Sequence, residues 1–235
     1  MTAARLDLPP GPVLVIAPHP DDETLGCGGV IAATVRRGDP VHTVFVTEGG
    51  ASHPNCRSWS RARRAKRREA EAADALRRLG AGEEPRTFLR LPDAAMPGQG
   101  DPAHAAAQAT LVGVLDGLRP ALAVLPWRRD PHSDHRASWV LATDAIVASG
   151  QSPAILEYAI WLDELGGPGD WPAPGEMEAV VLAVPRAVKR HALLAHRSQL
   201  GEGVFDDPDG FALTTATIAR LTGVEELYWR PCDAR

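Results

Sequence analysis

Cysteine is scarce. Cys27, Cys56 and Cys232 are the only 3 in 235 residues and stand far apart, a pattern that excludes a disulfide framework and suits a reducing compartment. Long apolar runs are missing too. Nothing approaches the roughly 18–20 residues that a bilayer-spanning helix requires. The N-terminal MTAARLDLPPGP has neither the apolar stretch nor the small-residue cleavage site of a secretory signal. Nor is there an excess of basic charge: 25 Lys and Arg against 30 Asp and Glu leave a net charge of -5 and a pI of about 5.9. No global field therefore draws the chain to nucleic acid. A soluble, cytoplasmic protein is expected, with no membrane and no nucleic-acid partner and with a homo-oligomer left open.

What is present is enough apolar material, 44% of residues, for one large domain, expected over residues 1–235. Short apolar runs alternate with longer helical patterns. Strands are expected at 13–17, 41–46, 87–91, 121–125, 154–160 and 179–184. Helices are expected at 24–37, 58–79, 102–118, 134–148 and 186–199, with one more short helix near the C-terminus. Such alternation implies right-handed βαβ crossovers. The fold class is α/β, a Rossmann-like three-layer αβα sandwich. Its sheet is mostly parallel, with strand order 3-2-1-4-5 plus additional edge strands. The Gly/Pro-rich stretch GGPGDWPAPG, 166–175, reads as a surface excursion near the site.

The first strand runs straight into APHPDDETLGCGG, 17–29, which places His19, Asp21, Asp22 and Glu23 at a strand end. The fourth is followed by His132-Ser133-Asp134-His135. In a sheet of this order the reversal lies between those two strands, and ligands bind beyond their carboxyl ends. Two His and one Asp suit a zinc ion with an open coordination position, although other divalent metals accept the same donors. Such an ion lowers the pKa of a water. A further carboxylate could take that proton, and a further His could steady an oxyanion. Each cluster alone reads better as turn chemistry, with Asp22 or Asp134 capping a helix. Their meeting at one crevice favours the metal.

At these residues the sequence resembles the PIG-L/LmbE-like zinc-dependent N-acetylglucosaminyl deacetylases. The resemblance extends through Val46-Thr47-Glu48-Gly49-Gly50-Ala51-Ser52, REAEAADALRRLG (68–80), FLRLPD (88–93), DPHSDHRAS (130–138) and HALLAHRSQ (191–199). It implies His19, Asp22 and His135 as metal ligands and zinc as the cofactor. It implies Asp21 as the general base, His132 as the oxyanion stabiliser and Asp134 as the carboxylate that tunes His132. Arg68, Asp93, His196 and Gln199 are implied on the substrate side, the substrate being a small N-acetylated amino sugar or its conjugate. The sequence departs from the family where Glu48 precedes Gly49-Gly50, where Asp130 stands two residues before His132 in place of a Tyr, and where Ser133 replaces a Pro. Those departures touch substrate identity rather than the ligands.

Other readings compete. A metal-dependent amidase or phosphoesterase on another small molecule would use the same centre. The basic run from Arg57 to Arg68 could bind nucleic acid, form a solvated helix face balanced by Glu69, Glu71 and Asp74, or grip a polar part of the substrate. Gly26-Cys27-Gly28-Gly29 lacks the spacing of a dinucleotide loop and is expected to let a helix approach the sheet. Cys27 is expected to be a buried structural thiol. Trp127, Trp161 and Trp171, placed in loops, are candidates for stacking on a sugar ring.

Overall fold

The structure, a computed structural model, describes residues 3–203 and 206–232. Its strands are β1 (Ala4–Arg5), β2 (Val13–Ala17), β3 (Val41–Thr47), β4 (Arg86–Leu91), β5 (Leu122–Pro126), β6 (Ala154–Tyr158), β7 (Met177–Ala183) and β8 (Glu225–Pro231). Its helices are α1 (Asp22–Arg37), α2 (Arg61–Arg78), α3 (Pro102–Leu118), α4 (Ser133–Ser149), α5 (Leu162–Leu165), α6 (Arg186–Leu193) and α7 (Thr215–Leu221), with a 3₁₀ turn at Arg197–Leu200. One sheet runs β1-β7-β8-β6-β5-β2-β3-β4. The block β4-β3-β2-β5-β6 is parallel throughout and has the 3-2-1-4-5 order that the alternation implies.

The layering follows from the pleat of β2. Val13, Val15 and Ala17 pack to one side with Val30 and Ile31 of α1 and with Ala72 and Leu76 of α2. Leu14 and Ile16 pack to the other with Leu111 and Leu115 of α3 and Leu141 of α4. All five β2 residues are buried, as a central parallel strand covered on both faces must be. Close contact requires two of the glycines of α1. A Cβ on Gly26 would stand 2.1 Å from the Tyr158 ring, and one on Gly29 would stand 2.2 Å from Val184. Cys27 is fully buried among the same packing.

Several elements differ from the sequence expectation. The helix expected over 186–199 stops at Leu193, and the chain turns through Ala195 before the 3₁₀ turn. The break turns the backbone before Ser198, whose amide and hydroxyl both reach the Glu71 carboxylate of α2. β8 has no counterpart among the expected strands; it inserts antiparallel between β6 and β7. Its pattern, EELYWRP, carries too many charges to read as a buried strand, yet Glu226, Tyr228 and Trp229 are buried. The 166–175 stretch does not line the catalytic cavity, apart from the site where it was expected. It closes over Trp127, whose indole N–H donates to the Asp170 carbonyl, and Trp171 packs edge-on to Trp229. Among the described residues no helix is long and apolar enough to cross a membrane.

Candidate metal centre and catalytic cavity

β2 and β5 are parallel neighbours, with Val13 opposite Leu122 and Val15 opposite Val124. Both chains therefore leave the sheet at the same edge, and residues 18–21 face residues 127–132 across the switch point. α1 begins directly at Asp22, which fixes His19, Asp21 and Asp22 in one tight turn; the Asp22 amide donates to the His19 carbonyl. α4 begins at Ser133 and is capped by an imidazole: His132 Nδ1 accepts the Asp134 amide at 3.2 Å. The cap expected from Asp22 or Asp134 is thus supplied at α4 by His132, and the Asp21 side chain makes no cap bond at α1.

The Asp22 Oδ2 atom lies 3.2 Å from His19 Nδ1 and 3.3 Å from His135 Nε2. His19, Asp22 and His135 each offer a donor atom within 4.8 Å of the others, and all three are buried. Among the described residues neither ring nitrogen of His135 makes a well-directed hydrogen bond, although the residue is fully enclosed and Asp22 and Asp130 lie 3.3 and 3.6 Å away. A buried imidazole left so is costly unless a further partner meets it. Charge points the same way. Asp21, Asp22, Asp93, Asp130 and Asp134 are all buried, and Arg68 is the only Lys or Arg in an ion pair with any of them among the described residues. Burial works against a charged His135, yet Asp22 and Asp130 hold its pKa up at about 9. Burial likewise opposes ionisation of Asp22, but His135 and His19 keep it far below the usual carboxylate range. A site that holds protons this tightly to offset its carboxylates has the donor set and the excess negative charge that a divalent cation answers. The residues fit the metal that the resemblance implies.

The cavity beside this centre has a volume of about 370 Å³. His19, Asp21, Asp22, Asp93 and His132 line it, together with Arg68 and Gln199. Burial raises the pKa of Asp21, and the Arg68 guanidinium, 3.0 Å away, partly offsets that rise. Arg68 also donates to the carbonyls of Gly49 and Pro20, so its fork is committed to holding Asp21 and the turn above it. Burial and the neighbouring His135 and His19 push the His132 pKa down to about 4. The ring is neutral at pH 7. Since an amide can only donate, the Asp134 amide fixes the His132 proton on Nε2, leaving Nδ1 as acceptor.

The Asp134 carboxylate makes no hydrogen bond to His132; it lies 3.2 Å from His19 Nε2 and accepts the Ala94 amide. It acts on His132 through its charge, which works against the lowering of the His132 pKa by burial, and through its backbone amide. Two sequence readings change here. His196 does not line the cavity. It is buried beneath it, with Nε2 2.8 Å from Glu23 Oε1, whereas Gln199 does reach the wall. Trp161 alone of the three loop tryptophans lines the cavity; Trp127 packs against Trp229 at 4.7 Å.

Two residues received no role from the sequence. Glu23 is fully buried and positions His196. Asp130 is also fully buried. Its Oδ2 lies 3.6 Å from His135 Nδ1 and accepts the Ile160 and Trp161 amides, while its Oδ1 accepts the His132 amide. A carboxylate behind a liganding His is a recurrent way to orient the ring. The signal was its place two residues before His132, where it read only as a missing Tyr.

Fold and site together define the class: a Rossmann-like α/β protein with a candidate divalent-metal centre at its topological switch point. Comparison with known sequences gives the family. The chain belongs to the PIG-L family, whose description is GlcNAc-PI de-N-acetylase and whose sequence model matches residues 14–146. The 1D-myo-inositol 2-acetamido-2-deoxy-alpha-D-glucopyranoside deacetylase of Rhodococcus opacus (strain B4) is 30% identical over 241 residues, covering 80% of this chain and 81% of that one. A conserved protein of Thermus thermophilus has a similar structure, with TM-score 0.59, 28% identity and coverage of 81% of this chain and 80% of its own. The A40926 pseudoaglycone deacetylase Dbv21 shares the fold at TM-score 0.69 and 20% identity, covering 95% of this chain and 98% of its own.

Proposed function

We propose that the chain, as one domain over residues 1–235, hydrolyses the N-acetyl group of an N-acetylglucosamine-type amino sugar with Asp21 as general base. The observation that carries this reading is the buried Asp21 carboxylate. It shares one cavity with His19 and Asp22 and is held by Arg68 at 3.0 Å. His19, Asp22 and His135 would hold zinc, which when bound polarises an amide carbonyl and makes water a better nucleophile.

Asp21 takes the proton of the attacking water as its oxygen bonds to the acetamide carbon. Its burial, which raises its pKa, makes it basic enough for that task. The His132 Nε2–H donates to the carbonyl oxygen as negative charge develops there. A neutral donor suits this, since it costs no buried charge before reaction. Asp21 then returns the proton to the nitrogen, the C–N bond breaks, and acetate and a free amine leave. Arg68 keeps Asp21 in one rotamer. Gln199, whose Oε1 has no partner among the described residues, and Asp93 offer acceptors to sugar hydroxyls.

The test is amine release from N-acetylglucosaminides by the purified protein, with zinc content measured on the same sample. The His132→Ala protein should keep its zinc and lose about 10²–10³ in kcat. Near-normal turnover by that variant would remove His132 from the reaction.

A further inference from the structure

Beyond the groups already described, the polar lining of the cavity adds only Ser52, whose hydroxyl lies 3.1 Å from His53 Nδ1 and whose carbonyl accepts the Phe211 amide. The rest of the wall is apolar. Leu25, Ala51 and Ala94 stand beside the floor, and Trp161, Leu165 and Phe211 complete the lining. Trp161 and Phe211 meet edge to face, with ring centroids 5.8 Å apart. Leu165, at the end of α5, is 67% exposed and is one of the few large apolar side chains left in water. The charged groups nearby are engaged with partners of their own. Glu48 accepts from Arg61 and the Gly50 amide, Arg64 donates to the Gly50 and Trp59 carbonyls, and Arg220 is tied to Asp163, Glu164 and the Ile160 carbonyl. A polyol reaching past the sugar would find few free donors or acceptors here, and burying its hydroxyls unpaired is costly.

From this we infer that Trp161, Leu165 and Phe211 form a subsite for an apolar aglycone, so that the preferred substrate is an N-acetylated amino sugar glycosidically linked to an aryl or alkyl group rather than to a cyclitol or a second sugar. This rests on the deacetylase reading of the same cavity. The amide must lie at the polar floor, where Asp21 and His132 act, and its acyl group lies there with it. The substituent that leaves the cavity toward solvent is then the aglycone, and Leu165 is the most exposed of the large apolar residues there. The aromatic pair offers flat faces and edges to an aryl ring. Burial of an eight-carbon chain or a ring of that size is ample for a tenfold preference.

The experiment compares methyl, 1D-myo-inositol, p-nitrophenyl and octyl N-acetylglucosaminides, together with methyl N-butanoylglucosaminide. Initial rates are measured, and binding is measured by calorimetry. The p-nitrophenyl and octyl glycosides should show kcat/KM at least about tenfold above the methyl and inositol glycosides, with the difference in KM. Leu165→Asp, at an exposed position that folding tolerates, should shrink that ratio by raising KM for the apolar glycosides. Equal affinities across the glycosides, a preference for the inositol compound, or a gain only from the longer acyl chain would overturn the subsite. Calorimetry reads the preference without turnover. Absence of deacetylation from every compound would instead count against the assigned reaction.

Discussion

Two groups of buried charge meet α1 at different points, one at its start and one at the amides of Gly29 and Val30, and they are built on opposite principles. Beneath the β7–β8 half, Lys189 and Glu226 are 2% and 4% exposed and pair at 2.6 Å. Every remaining acceptor of that carboxylate is used, by the amides of Gly29 and Val30 and by the Tyr228 hydroxyl. This group is closed. At the ends of β2 and β5 the pattern is reversed. Of five buried aspartates only Asp21 pairs with an arginine, the others facing His19, His135 and backbone amides, and among the described residues Glu23 Oε2, Gln199 Oε1 and the His135 ring nitrogens have no hydrogen-bond partner. Buried ions that only support a fold are matched within the fold, because each unmatched one costs several kcal/mol. Those left unmatched beside a cavity are available to something that arrives from outside.

Breaking the contrast most severely means emptying the open group. Treatment with a strong chelator should take amine release below detection, and added zinc should restore it; unchanged turnover in metal-free protein would mean that the open group serves no cation. Next comes Asp21→Asn, which keeps the Arg68 contact in outline but abolishes the base. Its kcat should fall by about 10²–10⁴ at unchanged zinc content, and the measurement that decides is single-turnover amine release. The closed group responds in stability instead. Lys189→Met leaves the buried Glu226 carboxyl without its partner, so urea unfolding should show a loss of about 3–5 kcal/mol. A loss below about 1 kcal/mol, the range of solvent-exposed pairs, would show that water reaches this pair and that the group is not closed. The smallest effect, and the one that sharpens the boundary between the two kinds, is expected from Asp130→Asn. Zinc affinity should weaken by about 10–100-fold as the His135 ring loses its orienting carboxylate, read by competition with a chromogenic chelator. An unchanged affinity would place Asp130 with the closed group, as a backbone acceptor only.

Much of this is legible in the chain because it is local. The apolar run 13–17 ended by Pro18, and the charged turn that follows, specify a buried strand and its polar end whatever surrounds them. The parallel order of β4-β3-β2-β5-β6 follows from alternation and crossover handedness, so the meeting of His19 with His135 can be reasoned from topology. β8 escapes such reasoning because its charges look exposed in sequence and are neutralised only by distant partners: Glu226 meets Lys189 of α6 and, across 197 positions, the Gly29 amide of α1. The helix expected to run to Gln199 ends early for a similar reason, since its break is stabilised by Glu71 on a different helix.

The sequence by itself determined most of the elements, the order of the parallel strands and the identity of the groups that could bind a cation, since those depend on periodicity, turn chemistry and the donor types of side chains. Tertiary structure alone decided which carboxylate faces which imidazole. It set Asp134 on His19 and Asp130 behind His135, and gathered Trp161, Leu165 and Phe211 along one wall. The 3.2 Å between His19 and Asp134, 115 positions apart, is set by packing of the whole chain, and no local pattern encodes it.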